Sequence, residues 1–383
     1  MAAQRLPLEG LTVLAIEQAV AAPFASSRLA DAGARVIKIE RAEGDFARGY
    51  DDVAKGQASY FVWLNRGKES VVVDLTTPEG KESVRALLAE ADVMIQNLKP
   101  GALERLGFAR ADLRKAYPRL VMCSISGYGD EGPLADRKAY DLLVQAESGL
   151  ASITGGPETA SRVGISIVDI ATGATAHAAI LEALIARSIT GEGADIRISM
   201  FDVTADWLTV PLLQAEGGKP PQRVGLAHPS IAPYGVFATK DGKEILISIQ
   251  SEREWRKFCA VFLKMPALPQ DPRFESNVAR VANRPETDGL IGAAFAALDA
   301  EEAVRLLTEA DVAFATVNDM AALSAHPHLR RITVDTPQGP VALPAPAAIF
   351  KDAPRHYRPV PEIGQHKPIT TAENAAPQTE KRS

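Results

Sequence analysis

The stretch Leu11–Ile39, LTVLAIEQAVAAPFASSRLADAGARVIKI, decides the fold. Its two ends, LTVLAI and VIKI, are apolar runs of strand length, and Pro23–Asp31 between them has helical composition that stops near Gly33. A helix that carries the chain from one strand to the next makes the strands parallel. The pattern repeats: Glu69–Leu75 (ESVVVDL), Val93–Gln96 and Leu120–Ile125 (LVMCSI) read as strands, a helix runs from Pro78 to about Glu90, and Gly193–Phe201 supplies a further strand. This alternation predicts the α/β class, a large Rossmann-like parallel sheet with helices on both faces. Ligands in such sheets sit beyond the carboxyl ends of the strands, which directs attention to the loops Gln18–Pro23, Glu40–Gly49, Asn97–Gly101 and Ser126–Pro133.

Downstream, the pattern changes at Gly217–Gly225 (GGKPPQRVG), where glycines and prolines interrupt every period. His228–Phe237 and Glu244–Ile249 read as a hairpin, and Arg253–Leu263 and Arg284–Ala297 as helices. The expected organisation is therefore residues 1–216 as the N-terminal part of the large domain, 217–225 as a linker and 226–317 as a small α+β domain. Residues 318–366 form a return segment completing the large domain, and 367–383 a flexible tail.

The 383 residues carry a net charge of −6, so no general basic field exists to attract nucleic acid or an anionic membrane. No stretch reads as long enough to span a bilayer, and MAAQRLPLEG does not resemble a signal peptide. Two distant cysteines, Cys123 and Cys259, fit a reducing compartment, and a cytoplasmic location is the expectation. No spacing of cysteines or histidines suggests a metal site. There is no P-loop, no G-x-G-x-x-G after the first strand and no G-x-S-x-G elbow.

What remains is a set of cations and one carboxylate. Lys38, Arg41, Arg48, Arg66, Lys68, Lys99, Arg105 and Lys138 lie near predicted strand ends and read together as a site for a ligand with several phosphates. In Val163–Gly173, VGISIVDIATG, apolar residues run up to Asp169 and an alanine-rich helical pattern follows. Aspartate there reads as an N-cap, and a helix N-terminus would keep it ionised; the same placement suits a nucleophile. His177, eight residues on, reads as a core histidine.

PLEGLTVLAIEQAVAAPFASSRLADAGARVIKIERAEGD, NRGKESVVVDL, QNLKPGALERLGF, SISGYGDEGP, the Asp169 segment and HPSIAPYGVFATKDG resemble, in this order, the class III CoA-transferases, the formyl-CoA transferase and carnitine CoA-transferase group. The resemblance implies that Asp169 is the nucleophile and that CoA is a substrate, with no tightly bound cofactor. It also implies that Val20 and Ala21 line the thioester region, that Arg41 and Arg105 meet phosphates, and that Val73, Asn97, Leu98 and Lys138 contact the pantetheine or adenosine. A homodimer of interlocked subunits is implied as well. Val20 stands where formyl-CoA transferases have glutamine, which argues against oxalate and formate. α-Methylacyl-CoA racemases share the fold but show Gly-His-Asp where this chain has Ala139-Tyr140-Asp141. Tyrosine exchanges protons poorly near neutral pH, so the expectation is transfer, with Tyr140 orienting substrate. The racemase and a CoA-binding protein without catalysis stand as alternatives. A short dicarboxylate is the expected acid, read by arginines such as Arg137, Arg162 or Arg223.

Overall fold

The structure is a computed structural model that describes residues 5–367; the expected tail therefore lies, but for Lys367, outside the described residues. The chain runs β1 (Thr12–Ile16), α1 (Ala21–Asp31), β2 (Arg35–Glu40), α2 (Ser59–Asn65), β3 (Lys68–Val72), α3 (Pro78–Glu90) and β4 (Val93–Gln96). It continues through α4 (Ala102–Arg105), α5 (Arg110–Ala116), β5 (Val121–Ser126), α6 (Asp141–Glu147), α7 (Leu150–Ile153), α8 (Ile167–Thr190) and β6 (Asp195–Ser199). The six strands form one sheet in the order β3-β2-β1-β4-β5-β6, every neighbouring pair parallel. The α/β expectation holds.

Side-chain alternation explains why these strands are apolar throughout. Val13 and Ala15 of β1 face one way, with Val93, Ile95 and α1, while Leu14 and Ile16 face the other, with Ile37, Met94 and α3. Both faces are buried, so both sets of positions must be hydrophobic. On the first face α8 packs on α1, β5 and β6. Gly173 permits the close approach: a Cβ there would lie 2.5 Å from the Ala21 carbonyl oxygen and 2.8 Å from the Phe24 Cβ. The exposed edge, β3, is covered by the C-terminal segment. Gly67 N donates to Pro359 O, His366 pairs with Val71 in parallel, and His366 N donates to Ser70 O.

Two corrections follow. α8 has 24 residues and is by length and composition apolar enough to cross a membrane, contrary to the expectation that no stretch is; alanine and isoleucine, which the helix needs for packing on α1, give it that character. The chain also divides elsewhere than expected. One unit comprises residues through Leu150, Val163–Thr209 and those from Arg330 on; the other is Ala151–Arg162 with Val210–Leu329. Arg223, expected in a linker, donates to the Ser152, Gly156 and Pro157 carbonyls, and Gly225 N donates to Gly155 O. Those bonds assign 151–162 to the second unit.

The second unit has its own core. β7 (Tyr234–Ala238), β8 (Glu244–Ser248) and β9 (Ala313–Thr316) form an antiparallel sheet, against which Trp255, Phe258, Phe262, Phe295 and Leu307 pack. Arg280, buried, pairs through two nitrogens with Glu252 and lies 4.8 Å from the Trp255 ring centre.

Candidate active site

The strand order reverses between β1 and β4, and the loops that leave these two strands are bound to each other. Gln18 N donates to Asn97 Oδ1 at 2.9 Å, and Asn97 Nδ2 donates back to Gln18 O at 2.8 Å. Next comes Ala19, with φ 63°, and then Val20, the N-cap of α1. No side chain caps α1. Its first turn offers the N–H groups of Ala21 and Ala22; Pro23 has none.

Asp169 reaches this place from the other side. It lies in the first turn of α8, one turn before Gly173, and the next residue, Ile170, packs against Val20, Ala19 and Phe24. Asp169 is not the cap expected of it. Ser166 occupies the N-cap position without a side-chain bond, and the free N–H groups of Val168 and Asp169 donate to Asp141 Oδ1 at 2.7 and 3.1 Å. Asp141, buried at the start of α6, also accepts from Gln145 Nε2 through its second oxygen, and Gln145 Oε1 accepts from Val163 N. The cap thus comes from 28 residues away. Relieved of capping, the half-buried Asp169 carboxylate lies beside a second carboxylate. Burial first and Asp141 second push its pKa up to about 7, against the expectation that the helix terminus keeps it fully ionised.

Aromatic residues stand beside it. Tyr60 hydroxyl and Ser166 Oγ are 2.9 Å apart, and the Tyr50 and Tyr60 rings meet edge to face at 5.8 Å. Burial, then the charges of Asp45 and Asp169 and the neighbouring Tyr140 and Tyr60, raise the Tyr50 phenol to about 12. It is a neutral hydrogen-bond donor at physiological pH. Tyr140, the N-cap residue of α6, is exposed. Sequence reasoning nominated Tyr140 and passed over Tyr50, Tyr60, Asp45 and Asp141, although Asp141 stood in the tripeptide it had compared with the racemases.

The cation set divides. Lys38 and Lys68 are fully buried in ion pairs with Glu17, Lys38 also with Asp45; Arg66 pairs with Asp31 and Arg48 with Glu40. All four are engaged within the protein, Lys38, Lys68 and Arg66 being buried and Arg48 half-buried. Lys99 pairs with Asp136 at the surface. Arg41, Arg105 and Lys138 are exposed, with no ion pair among the described residues, and are the members of the set available to phosphates. Val73 is buried at the end of β3 and Leu98 half-buried after β4; the Asn97 amide is engaged with Gln18 at both ends. Arg137 pairs with Glu147, and Arg223 is taken up by backbone carbonyls, so neither is a free reader of a substrate carboxylate.

The switch point of the doubly wound sheet thus carries an uncapped helix N-terminus and a half-buried carboxylate. Residues 8–367 match the family model CoA-transferase family III, and the chain belongs to that family. It is 34% identical over 383 residues to a succinate–glutarate CoA-transferase of Agrobacterium fabrum, covering 96% of this chain and 95% of that one. To an acetyl-CoA:oxalate CoA-transferase of Acetobacter aceti it is 35% identical over 378 residues, with 97% of each chain covered. The crystal structure of an aspartate-to-alanine mutant of Rv3272 from Mycobacterium tuberculosis superposes with a TM-score of 0.85 at 30% identity, covering 97% of this chain and 99% of that one.

Proposed function

We propose that this CoA-transferase moves CoA from an acyl-CoA to a short dicarboxylic acid through covalent intermediates on Asp169. The observation that carries the reading is the Asp169 carboxylate itself, half-buried in the first turn of α8, spared from capping by Asp141 and followed by Ile170, which packs at the N-terminus of α1. Its oxygen attacks the thioester carbonyl, the C–S bond breaks, and a mixed anhydride and CoA thiolate result. The thiolate then attacks the aspartyl carbonyl, releasing the first acid and leaving an aspartyl-CoA thioester. The acceptor carboxylate attacks that thioester, giving a new anhydride and thiolate; the thiolate takes the acceptor acyl group, and Asp169 is regenerated. Each step keeps the acyl group activated, so no external energy source enters. Val20 and Ala21 have buried side chains and contribute backbone, the Ala21 and Ala22 N–H groups facing the charge that develops on the carbonyl oxygen. Arg41, Arg105 and Lys138 hold phosphates, while Val73, Asn97 and Leu98 shape the channel for the rest of CoA.

The dicarboxylate class is supported by the relatives, whose names carry succinate, glutarate and oxalate. With Arg137 and Arg223 engaged elsewhere, the Tyr50 and Tyr140 hydroxyls are the donors offered to the distal carboxylate. A homodimer in the cytoplasm completes the proposal. Incubation with succinyl-CoA followed by borohydride or hydroxylamine is expected to modify Asp169, detected by peptide mass; an unmodified protein that still turns over overturns the covalent route. Asp169→Asn is expected to bind CoA and to lose turnover by on the order of 10⁴-fold or more. A carboxyl that titrates at about 7 also suits α-proton exchange, so the racemase reading keeps one supporting observation. Deuterium uptake at C2 of a 2-methylacyl-CoA would establish it instead.

A further inference from the structure

The covalent mechanism leaves unused a buried network of four charges. The side chains of Glu17, Lys38, Asp45 and Lys68 have no solvent exposure. Lys68 Nζ donates to Glu17 Oε1 at 2.6 Å, and Lys38 Nζ donates to Asp45 Oδ2 at 2.8 Å while lying 3.5 Å from Glu17. Two positive and two negative groups balance. The network also reaches backbone: Asp45 Oδ1 accepts from Ala19 N at 3.1 Å as well as from Ala47 N at 2.9 Å, Lys38 Nζ donates to Glu17 O at 3.3 Å, and Lys68 Nζ donates to Pro23 O at 3.2 Å. Together with the Asn97 clamp on Gln18, side chains from other elements hold three consecutive backbone units, 17, 18 and 19.

Ala19 needs such holding. Its φ of 63° is left-handed, a conformation that a residue with a Cβ keeps only where its surroundings enforce it. Immediately after it the chain enters α1, whose uncapped first turn packs on the Asp169 segment. Asp45 and Asp169 both act on the Tyr50 phenol, which ties the network to the site. We propose that Asp45, carried by Lys38 and the Glu17–Lys68 pair, is a positioning residue that fixes the Ala19–Ala22 backbone against Asp169 and so sets the rate of acyl transfer to it. This rests on the covalent reading above.

The test compares the rate at which Asp169 is trapped from succinyl-CoA with the KM for that thioester. Asp45→Asn keeps the shape and an acceptor for Ala19 N but removes the charge that holds Lys38. Trapping is expected to slow by about 100-fold with KM changed by less than about threefold. Adding Ala19→Gly, which adopts positive φ without steric penalty, is expected to recover about tenfold of the loss; a role in stability alone gives no such rescue. If Asp45→Asn does not fold, Asp45→Glu keeps the charge on a longer arm and carries the same test, with slowed trapping expected. Wild-type protein that is not trapped at Asp169 refutes the covalent reading. Wild-type trapping with unchanged rates in the Asp45 variants, or a loss that Ala19→Gly leaves untouched, overturns the positioning role.

Discussion

Two groups of ionisable residues in this protein, one fully buried and one half-buried at Asp169, are built on opposite plans. Around Glu17, each buried charge touches an opposite one: Lys38 and Lys68 flank Glu17, and Asp45 completes the set. At the start of α8, two carboxylates, Asp141 and Asp169, share one helix terminus, and among the described residues no lysine or arginine pairs with either. In the first group attraction offsets burial, so Glu17 titrates below its ordinary value even though burial, the largest influence on it, pushes the other way. In the second nothing offsets it, and Asp169 is driven upward. The paired group holds backbone in place; the unpaired group stores destabilisation in Asp169, the residue proposed to react.

The comparison breaks first at Lys38. Lys38→Met leaves Glu17 and Asp45 short of a partner with no water to replace it, and a loss of about 3–5 kcal/mol in denaturant-measured stability is expected. A loss under 1 kcal/mol would mean that water reaches the network.

Asp169→Asn should act in the reverse direction. The folded protein favours the protonated acid, because the pKa is about 7 rather than the ordinary 3.8. For a carboxyl shifted upward, the stabilising contribution is present below the unfolded value and is lost as pH rises through the folded one. At pH 8 the wild type bears the whole penalty and the amide none of it, so the variant is expected to be more stable by on the order of 4 kcal/mol. At pH 5 the gap should narrow to on the order of 2 kcal/mol. Equal gaps at the two pH values would show that ionisation is not its source.

Gly173→Ala tests whether α8 must approach α1 closely. The new methyl would meet the Ala21 carbonyl, which is backbone and cannot turn aside. About 1–3 kcal/mol of destabilisation is expected, with a fall in turnover larger than any change in CoA affinity.

These contrasts mark what the sequence made readable. Strands buried on both faces are continuous apolar runs, so LTVLAI, VIKI and LVMCSI announced the sheet, and its order placed the site at the ends of β1 and β4. Lysines gave the opposite lesson. Lys38 lies in β2 and Lys68 begins β3, where a cation looks like a surface charge until its partners, Glu17 and Asp45, are brought from other segments by folding. Asp169 was misread as a cap, since the group that caps α8 is Asp141, 28 residues away on a helix of its own. The helix α2, SYFVWLN, is rich in aromatic residues and carries no helical period, and with it Tyr60 went unnoticed. The division at 151–162 rests on Arg223 reaching three carbonyls, a long-range fact without a local signal.

The smallest expected effect separates the two contributions to the Asp169 shift. Asp141→Asn retains an oxygen for the Val168 and Asp169 N–H groups, so α8 keeps its cap, but the neighbouring charge is gone. Burial, the larger influence, persists. The acid limb of the rate profile, where Asp169 must lose its proton before it can attack, is therefore expected to move from near 7 downward by about 1 unit and no further. Since a lower pKa also makes a weaker nucleophile, the plateau rate at high pH should fall modestly while the rate near pH 6 rises. A limb that moves to the ordinary aspartate range would show that Asp141, rather than the dry surroundings, governs the nucleophile; an unmoved limb would assign it to another group.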